Sequence, residues 1–184
     1  MQPDFHKLKR RPFLVPLLMP LALLALVIGA AIWLLDARTS TVMIVVRSAE
    51  FEQHEVANPQ LSTEGQQRAT RLQKLLAQAK PERGVDAVYV SEDSGAQQTA
   101  TPLAETMGLA VNVVAAADWA SLPSLIMRNH AGEITLIVAN RTALLSLLKQ
   151  TTSTDFVVDE ADYGSVFVIP KSRLSKSTAV RLRY

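Results

Sequence analysis

Three short groups of residues follow apolar, β-branched runs of the sequence, and they contain the side chains that could do chemistry. Arg47-Ser48-Ala49-Glu50 is the first group, Ser91 begins the second, and Asn140-Arg141 is the third. Open α/β sheets bind ligands at the carboxyl ends of their strands, so these groups are the candidates for a site. Ser48 offers a hydroxyl nucleophile, which attacks only when a neighbouring base activates it.

Few residues could supply that base. The histidines after residue 35 are His54 and His130. His54 lies in the loop 51–60, where it either folds over the site or is a solvated loop residue. His130 precedes the third apolar run and is therefore expected at the opposite end of that strand from the ligand-binding edge.

The composition also limits metal and cofactor sites. The chain has no cysteine, which excludes a thiol nucleophile, a disulfide and cysteine-ligated zinc. We therefore predict no metal and no cofactor. A calcium site built from carboxylates alone is the one metal site that the composition leaves open.

Taken in order, the motifs resemble the histidine phosphatase (phosphoglycerate mutase-like) superfamily. In that family the first strand ends in Arg-His-Gly or Arg-His-Ala, usually followed by Glu. The second strand leads through Ser to an Arg shortly before a Gln-Thr-Ala helix, and the third ends in Gly-His. The matching positions of this sequence are Ser48, Gly95 before Gln98-Thr99-Ala100, and Asn140. The resemblance extends over residues 41–184.

The resemblance implies phosphoryl transfer to the first histidine, with arginines and the second histidine holding the phosphate oxygens. Such a transfer needs an imidazole aimed at phosphorus and positive donors around it. Ser48, Gly95 and Asn140 stand in place of the nucleophile, a clamp arginine and the second histidine. Since loss of one member of such a unit already costs orders of magnitude in rate, we predict that no residue here is catalytic.

What remains is predicted to be a vestigial phosphate pocket. Arg47 keeps a phosphate-binding position of the family, and it either binds an anion or pairs with a buried carboxylate such as Glu50. Asn140 can donate a hydrogen bond but adds no charge. Arg141 either replaces the lost cation or faces solvent or a neighbouring element. The predicted pocket consists of Arg47, Ser48, Glu50, Ser91, Asn140 and Arg141.

Strands and helices alternate after residue 40. Apolar runs predict strands at 42–46, 87–90, 111–114, 134–139, 166–169 and 178–182, and helical spacing predicts helices at about 66–79, 96–107, 122–128 and 142–150. This order predicts an α/β fold, a three-layer α/β/α domain around a mostly parallel central sheet. We expect this domain at 41–184, after a cytoplasmic basic tail at 1–12, a membrane span at 13–35 and a short tether at 36–40.

The N-terminal block from Phe13 to Leu35 carries no charge. At about 1.5 Å per residue it is long enough to cross a hydrocarbon layer of roughly 30 Å. We predict an uncleaved signal anchor; the alternative is a cleaved signal peptide, although the run is longer than a signal core and lacks an Ala-x-Ala site before Asp36. Basic residues precede the span, which predicts a cytoplasmic N-terminus and a periplasmic domain anchored in the inner membrane.

Two further features concern partners. Four of the 19 basic and one of the 17 acidic residues precede residue 36, so the rest of the chain carries 15 basic and 16 acidic side chains. This balance gives no support to nucleic-acid binding. Ala25 and Gly29 form a small-xxx-small pair that suits close helix packing in a membrane. Together with the short tether, the pair predicts docking beside an integral membrane protein or complex.

Three functions therefore remain open. The first is a catalytically inactive accessory or scaffolding subunit, or assembly factor, of a membrane complex. The second is an extracytoplasmic phosphomonoesterase acting on envelope glycolipid or sugar phosphates. The third is a sensor that binds a phosphate-containing small molecule through Arg47 and Arg141 without hydrolysing it.

Overall fold

The computed structural model describes residues 15–38, 40–52, 58–78, 84–171 and 177–184. The chain divides into two compact units between Ala37 and Arg38. This division falls inside the segment predicted to be a tether.

The first unit contributes one described helix, α1 (Val15–Arg38). Large apolar side chains along it are at least 50% exposed, among them Met19, Leu21, Leu26 and Ile32. Over the described residues, no helix combines the length and apolarity needed to cross a lipid bilayer. The transmembrane segment predicted at 13–35 is therefore not supported by the structure.

The second unit is built on one six-stranded sheet. Its strands are β1 (Thr41–Arg47), β2 (Ala87–Ser91), β3 (Val111–Val114), β4 (Ile134–Ala139), β5 (Ser165–Lys171) and β6 (Val180–Arg183). Their order across the sheet is β3-β2-β4-β1-β5-β6. The first four in that order are mutually parallel, whereas β5 is antiparallel to both β1 and β6. The prediction of an α/β fold around a central, mostly parallel sheet is confirmed.

Four helices cover the sheet on its two faces. They are α2 (Thr63–Ala77), α3 (Ser94–Met107), α4 (Leu122–Asn129) and α5 (Arg141–Thr151). One core joins Leu72 of α2 and Leu103 of α3 to the sheet, and the other joins Ile126 of α4 and Leu147 of α5 to it. The central strands are buried on both faces, which explains why they read as continuous apolar runs.

Side chains at the ends of the strands fix where three of the helices begin. Ser62, Asp93 and Asn140 each accept a hydrogen bond from a backbone N–H of the first turn of α2, α3 and α5. Such N-caps satisfy donors that have no partner inside the helix. As a result, α3 begins two residues earlier than its hydrophobic spacing predicts.

Gly65 lets α2 pack against the chain that follows β1. A Cβ at this position would overlap the carbonyl oxygen of Glu50 and lie 3.0 Å from its carbonyl carbon. That carbonyl cannot easily move, because it accepts hydrogen bonds from Ser62 N (2.9 Å) and Ser62 Oγ (3.2 Å). Only glycine allows so close an approach.

We expect Gly65→Ala to lower the free energy of unfolding by about 2 kcal/mol or more, since overpacking outweighs the higher helix propensity of alanine. The matched control is Gly84→Ala, whose Cβ would meet the terminal Cε of Met107, at 2.6 Å, and no other atom of the described residues within 4 Å. A methionine side chain can move aside, so the control should change stability by less than about 1 kcal/mol. Urea unfolding of both variants is the measurement, and equal stabilities would contradict the close packing.

Candidate functional site

The carboxyl ends of β1, β2 and β4 bring four of the predicted residues together. Ser48 N donates to Ala139 O at 2.9 Å, and Asn140 N donates to Ser91 Oγ at 3.1 Å. A Cβ built on Gly95 lies 3.9 Å from the Cβ of Ser48. The three positions at which the resemblance places histidine, arginine and histidine therefore lie at one edge of the sheet.

Ser48 lies at the centre of this edge and is 5% exposed. Among the described residues, no histidine, lysine or carboxylate forms a hydrogen bond with its hydroxyl. A serine hydroxyl without a base is a weak nucleophile at neutral pH. The geometry therefore provides a buried hydroxyl and no means of activating it.

Gly95 leaves room that neighbouring side chains fill. Its ideal Cβ lies 3.4 Å from Asp93 Oδ1 and 3.8 Å from the Cδ2 of Leu61, which is 2% exposed. Thr99 then ties α3 to the chain after β1, because its hydroxyl donates to Gly95 O (2.6 Å) and accepts from Ala49 N (3.0 Å). Asp93, Leu61 and Ser48 thus border the place expected for a clamp arginine.

Arg47 is largely buried, and its guanidinium is directed at the main chain of a distant segment. Its Nη1 donates to Glu160 O at 2.5 Å and to Asp159 O at 3.4 Å. The guanidinium carbon lies 4.0 Å from the centre of the Tyr163 ring, which is the geometry of a cation–π contact. The predicted alternative of an Arg47–Glu50 pair is wrong, since the carbonyl groups and the Tyr163 ring take up the guanidinium.

Glu50 pairs with Arg68 of α2 instead. Arg68 Nε lies 2.8 and 2.7 Å from the two carboxylate oxygens, and Arg68 Nη2 donates to Glu50 Oε1. Burial is the largest single influence on the pKa of Glu50 and would raise it, but the hydrogen bonds from Arg68, a main-chain hydrogen bond and the charges of Arg68 and Arg71 together lower it. Glu50 thus belongs to a contact between β1 and α2 and contributes no charge to the predicted pocket.

The two remaining predicted residues also have structural roles. Asn140 Oδ1 accepts from Ala143 N at 2.9 Å and so caps α5. Arg141 donates to Val158 O through Nε (3.3 Å) and Nη2 (3.1 Å), and its Nη1 lies 3.9 Å from Glu160 Oε1. Arg141 therefore holds a neighbouring segment, which was one of the two predicted alternatives.

Residues 157–163, which we call the strap, form hydrogen bonds with arginines from three elements. Arg47 and Arg141 bind the carbonyl groups of residues 158–160, as described above. Arg181 of β6 donates to Val157 O at 3.3 Å and pairs with Asp162. Burial would raise the pKa of Asp162, but hydrogen bonds from Ser165 and Arg181 lower it. The strap thus supplies the acceptors that an anion would otherwise provide.

The histidines do not contribute to this edge in the described structure. His54 lies outside the described residues. His130 follows α4 at the opposite edge, where its Nε2 lies 2.9 Å from Tyr89 Oη and its Nδ1 lies 2.7 Å from Glu133 Oε2. The described residues contain no group of three or more histidine, cysteine or acidic side chains that could hold a metal.

Comparison with known proteins identifies the fold. No family model matches the chain, and no curated protein does so. Three solved structures that are similar to it are the protein histidine phosphatase SixA complexed with tungstate, a phosphoserine phosphatase from Entamoeba histolytica in complex with 3-phosphoglyceric acid, and a mycobacterial glucosyl-3-phosphoglycerate phosphatase with VO3.

The agreement covers more than three quarters of the chain. The TM-scores are 0.64, 0.60 and 0.59, at 11%, 12% and 12% sequence identity. The matches cover 77%, 78% and 78% of this chain and 96%, 97% and 98% of the respective known chains. The fold is that of the histidine phosphatases. At these identities the likeness concerns the fold alone.

Sequence reasoning missed three features of this histidine phosphatase-like edge: Arg68, Tyr163 and the strap. Arg68 flanks the face of α2 that buries Gly65 and Leu72, and the helical spacing alone does not show that an arginine there pairs with a carboxylate outside the helix. The strap has no hydrophobic periodicity and acts through its carbonyl groups, which no residue type reveals. The cap at Asn140 did have a readable signal, because asparagine directly before a helical pattern is a typical N-cap.

Glu50→Gln should make stability less dependent on acid pH. The folded-state pKa of Glu50 is lowered, so its pairing stabilises the fold above the unfolded-state value of about 4.3 and is lost as pH falls through the folded-state value. We expect the variant to lose about 1–3 kcal/mol at pH 7 and to approach the wild type as the pH falls below the unfolded-state value and through the lowered folded-state value.

Urea unfolding between pH 7 and pH 3 measures this difference. Glu105→Gln on α3 is the control, because it removes an exposed carboxylate and should change stability by less than about 0.5 kcal/mol at any pH. A Glu50→Gln deficit that stays constant down to pH 3 would show that ionisation of Glu50 is not what stabilises the contact.

Proposed function

We propose that the second unit is a histidine phosphatase-like domain that does not catalyse phosphoryl transfer and acts through its surfaces, as an accessory or scaffolding subunit or assembly factor. The observation that carries this proposal is the environment of Ser48. This serine stands where the family nucleophile is expected, and it forms no hydrogen bond with a base among the described residues.

The arginines support the same proposal. A phosphatase needs free positive donors around the transferred group. Arg47 and Arg141 already donate to carbonyl oxygens of the strap, and position 95 offers no side chain beyond hydrogen. Binding a phosphate here would require those hydrogen bonds to break first.

A second candidate is an extracytoplasmic phosphomonoesterase acting on envelope glycolipid or sugar phosphates. The observation that favours it is the fold, since the similar structures named above are phosphatases. A third candidate is a phosphate sensor that uses Arg47 and Arg141. It requires the ligand to replace the strap carbonyl groups as hydrogen-bond acceptors of these arginines.

Phosphatase assays separate these candidates. We expect the purified full chain to release no more phosphate from a panel of phosphomonoesters than the Ser48→Ala variant does. Differential scanning fluorimetry measures how much inorganic phosphate stabilises the wild type and the Arg47→Ala variant. We expect this stabilisation to be the same in both, because the guanidinium of Arg47 already donates to main-chain carbonyl groups. Turnover abolished by Ser48→Ala would establish the esterase. Stabilisation without turnover, abolished by Arg47→Ala, would establish the sensor.

We further propose that the N-terminal segment attaches the protein to the inner membrane, with the second unit on the periplasmic side and docked beside an integral membrane partner. Residues 13–35 carry no charge. The large apolar side chains of α1 are exposed, and apolar surface of this extent marks a contact with lipid or with another protein. Ala25 and Gly29 would allow such a helix to approach closely.

Alkaline carbonate extraction tests the attachment: the full chain should stay in the membrane pellet, and a variant with Leu23→Lys and Val27→Lys should move to the supernatant, because lysine is costly in a hydrocarbon layer. Native electrophoresis after mild detergent extraction tests the partner. Recovery of the wild type in the carbonate supernatant would refute the attachment, and migration as a monomer or simple homodimer would refute the docking.

A further inference from the structure

A cavity of about 410 Å³ opens at the edge of the sheet opposite the site described above. Lys171, the last residue of β5, lines it, and the antiparallel partner of Lys171 is Thr41, the first residue of β1. Ser124 and Arg128 of α4 form a second wall. The cavity therefore lies beside the amino end of β1, where the chain enters the second unit.

Positive charge dominates this cavity. Arg128 and Lys171 both line it, and none of the described acidic side chains does. In the parts of the chain that the structure describes, neither cation forms an ion pair. Two cations that face one cavity without a counter-charge are best stabilised by an anion between them. Ser124 adds a hydroxyl donor on the same wall.

The rest of the lining combines apolar side chains with the polar residues Gln150 and Thr151. Pro123 and Met127 of α4 line the cavity beside the cations. Gln150 of α5 bridges to the chain before α4, because its Nε2 donates to Ala120 O at 2.9 Å. The cavity thus combines fixed apolar walls with two cations, an arrangement that suits a phosphate group attached to an apolar remainder.

We propose that this cavity binds the phosphate group of an anionic ligand, with Arg128 and Lys171 contacting the phosphate oxygens. Phosphate is recognised by arginine through paired hydrogen bonds and by lysine as a point charge. Such a phosphate can belong to a phospholipid headgroup or to a free phosphate. The headgroup assignment rests on the membrane attachment proposed above.

Calorimetric titration of the full chain in dodecyl maltoside tests the cavity. The ligands are short-chain dihexanoyl phosphatidylglycerol and inorganic phosphate. We expect saturable binding that weakens about tenfold or more in the double variant Arg128→Gln/Lys171→Gln, since one lost charge-assisted hydrogen bond suffices for that change. The control Arg71→Gln/Lys149→Gln removes the same charge from exposed positions outside the cavity and should bind as the wild type does.

The outcomes are distinct. Binding of phosphatidylglycerol but not of inorganic phosphate assigns a lipid headgroup, and equal binding of both assigns a free phosphate. The charge-retaining variant Arg128→Lys/Lys171→Arg should keep measurable binding, which separates loss of the site from loss of the fold. Absence of saturable binding to either ligand, or equal weakening in the control, overturns the proposal. The titration uses detergent-solubilised protein, so whether the cavity binds phosphate does not depend on the outcome of the carbonate extraction.

Discussion

A buried guanidinium must find hydrogen-bond acceptors, and this requirement links the carboxyl edge of the sheet to the strap. Arg47 is 8% exposed, and leaving its charge without partners there would be costly. Its acceptors are carbonyl oxygens of residues 159 and 160, and the Tyr163 ring covers its face. Arg181 holds the same segment through Asp162. The path of the strap therefore follows from where the arginines lie.

The same constraint connects structure and function. The edge formed by the carboxyl ends of β1, β2 and β4 is where open α/β sheets bind ligands, yet here its strongest polar contacts are internal. The hydroxyls of Ser91 and Thr99 accept hydrogen bonds from main-chain N–H groups after β4 and β1, and the side chain of Asn140 caps α5. An edge whose donors are satisfied internally stabilises the fold, which is why the proposed function lies on other surfaces.

Much of the fold was predictable from the sequence, and the site was predictable only in part. Buried parallel strands read as apolar runs, so the strands and the layered arrangement followed directly. The convergence of Ser48, Gly95 and Asn140 followed from motif order. The partner of Glu50 could not be predicted, because Arg68 is on the next helix and no spacing rule connects the two residues. The strap escaped prediction because main-chain acceptors leave no trace in residue type.

The contacts between arginines and strap carbonyl groups have an evolutionary consequence. Every amino acid carries a main-chain carbonyl, so substitutions at the exposed residues Asp159 and Glu160 leave the acceptors for Arg47 in place. The outward side chains of this segment are therefore free to diversify under selection for a new binding partner while the backbone path is retained.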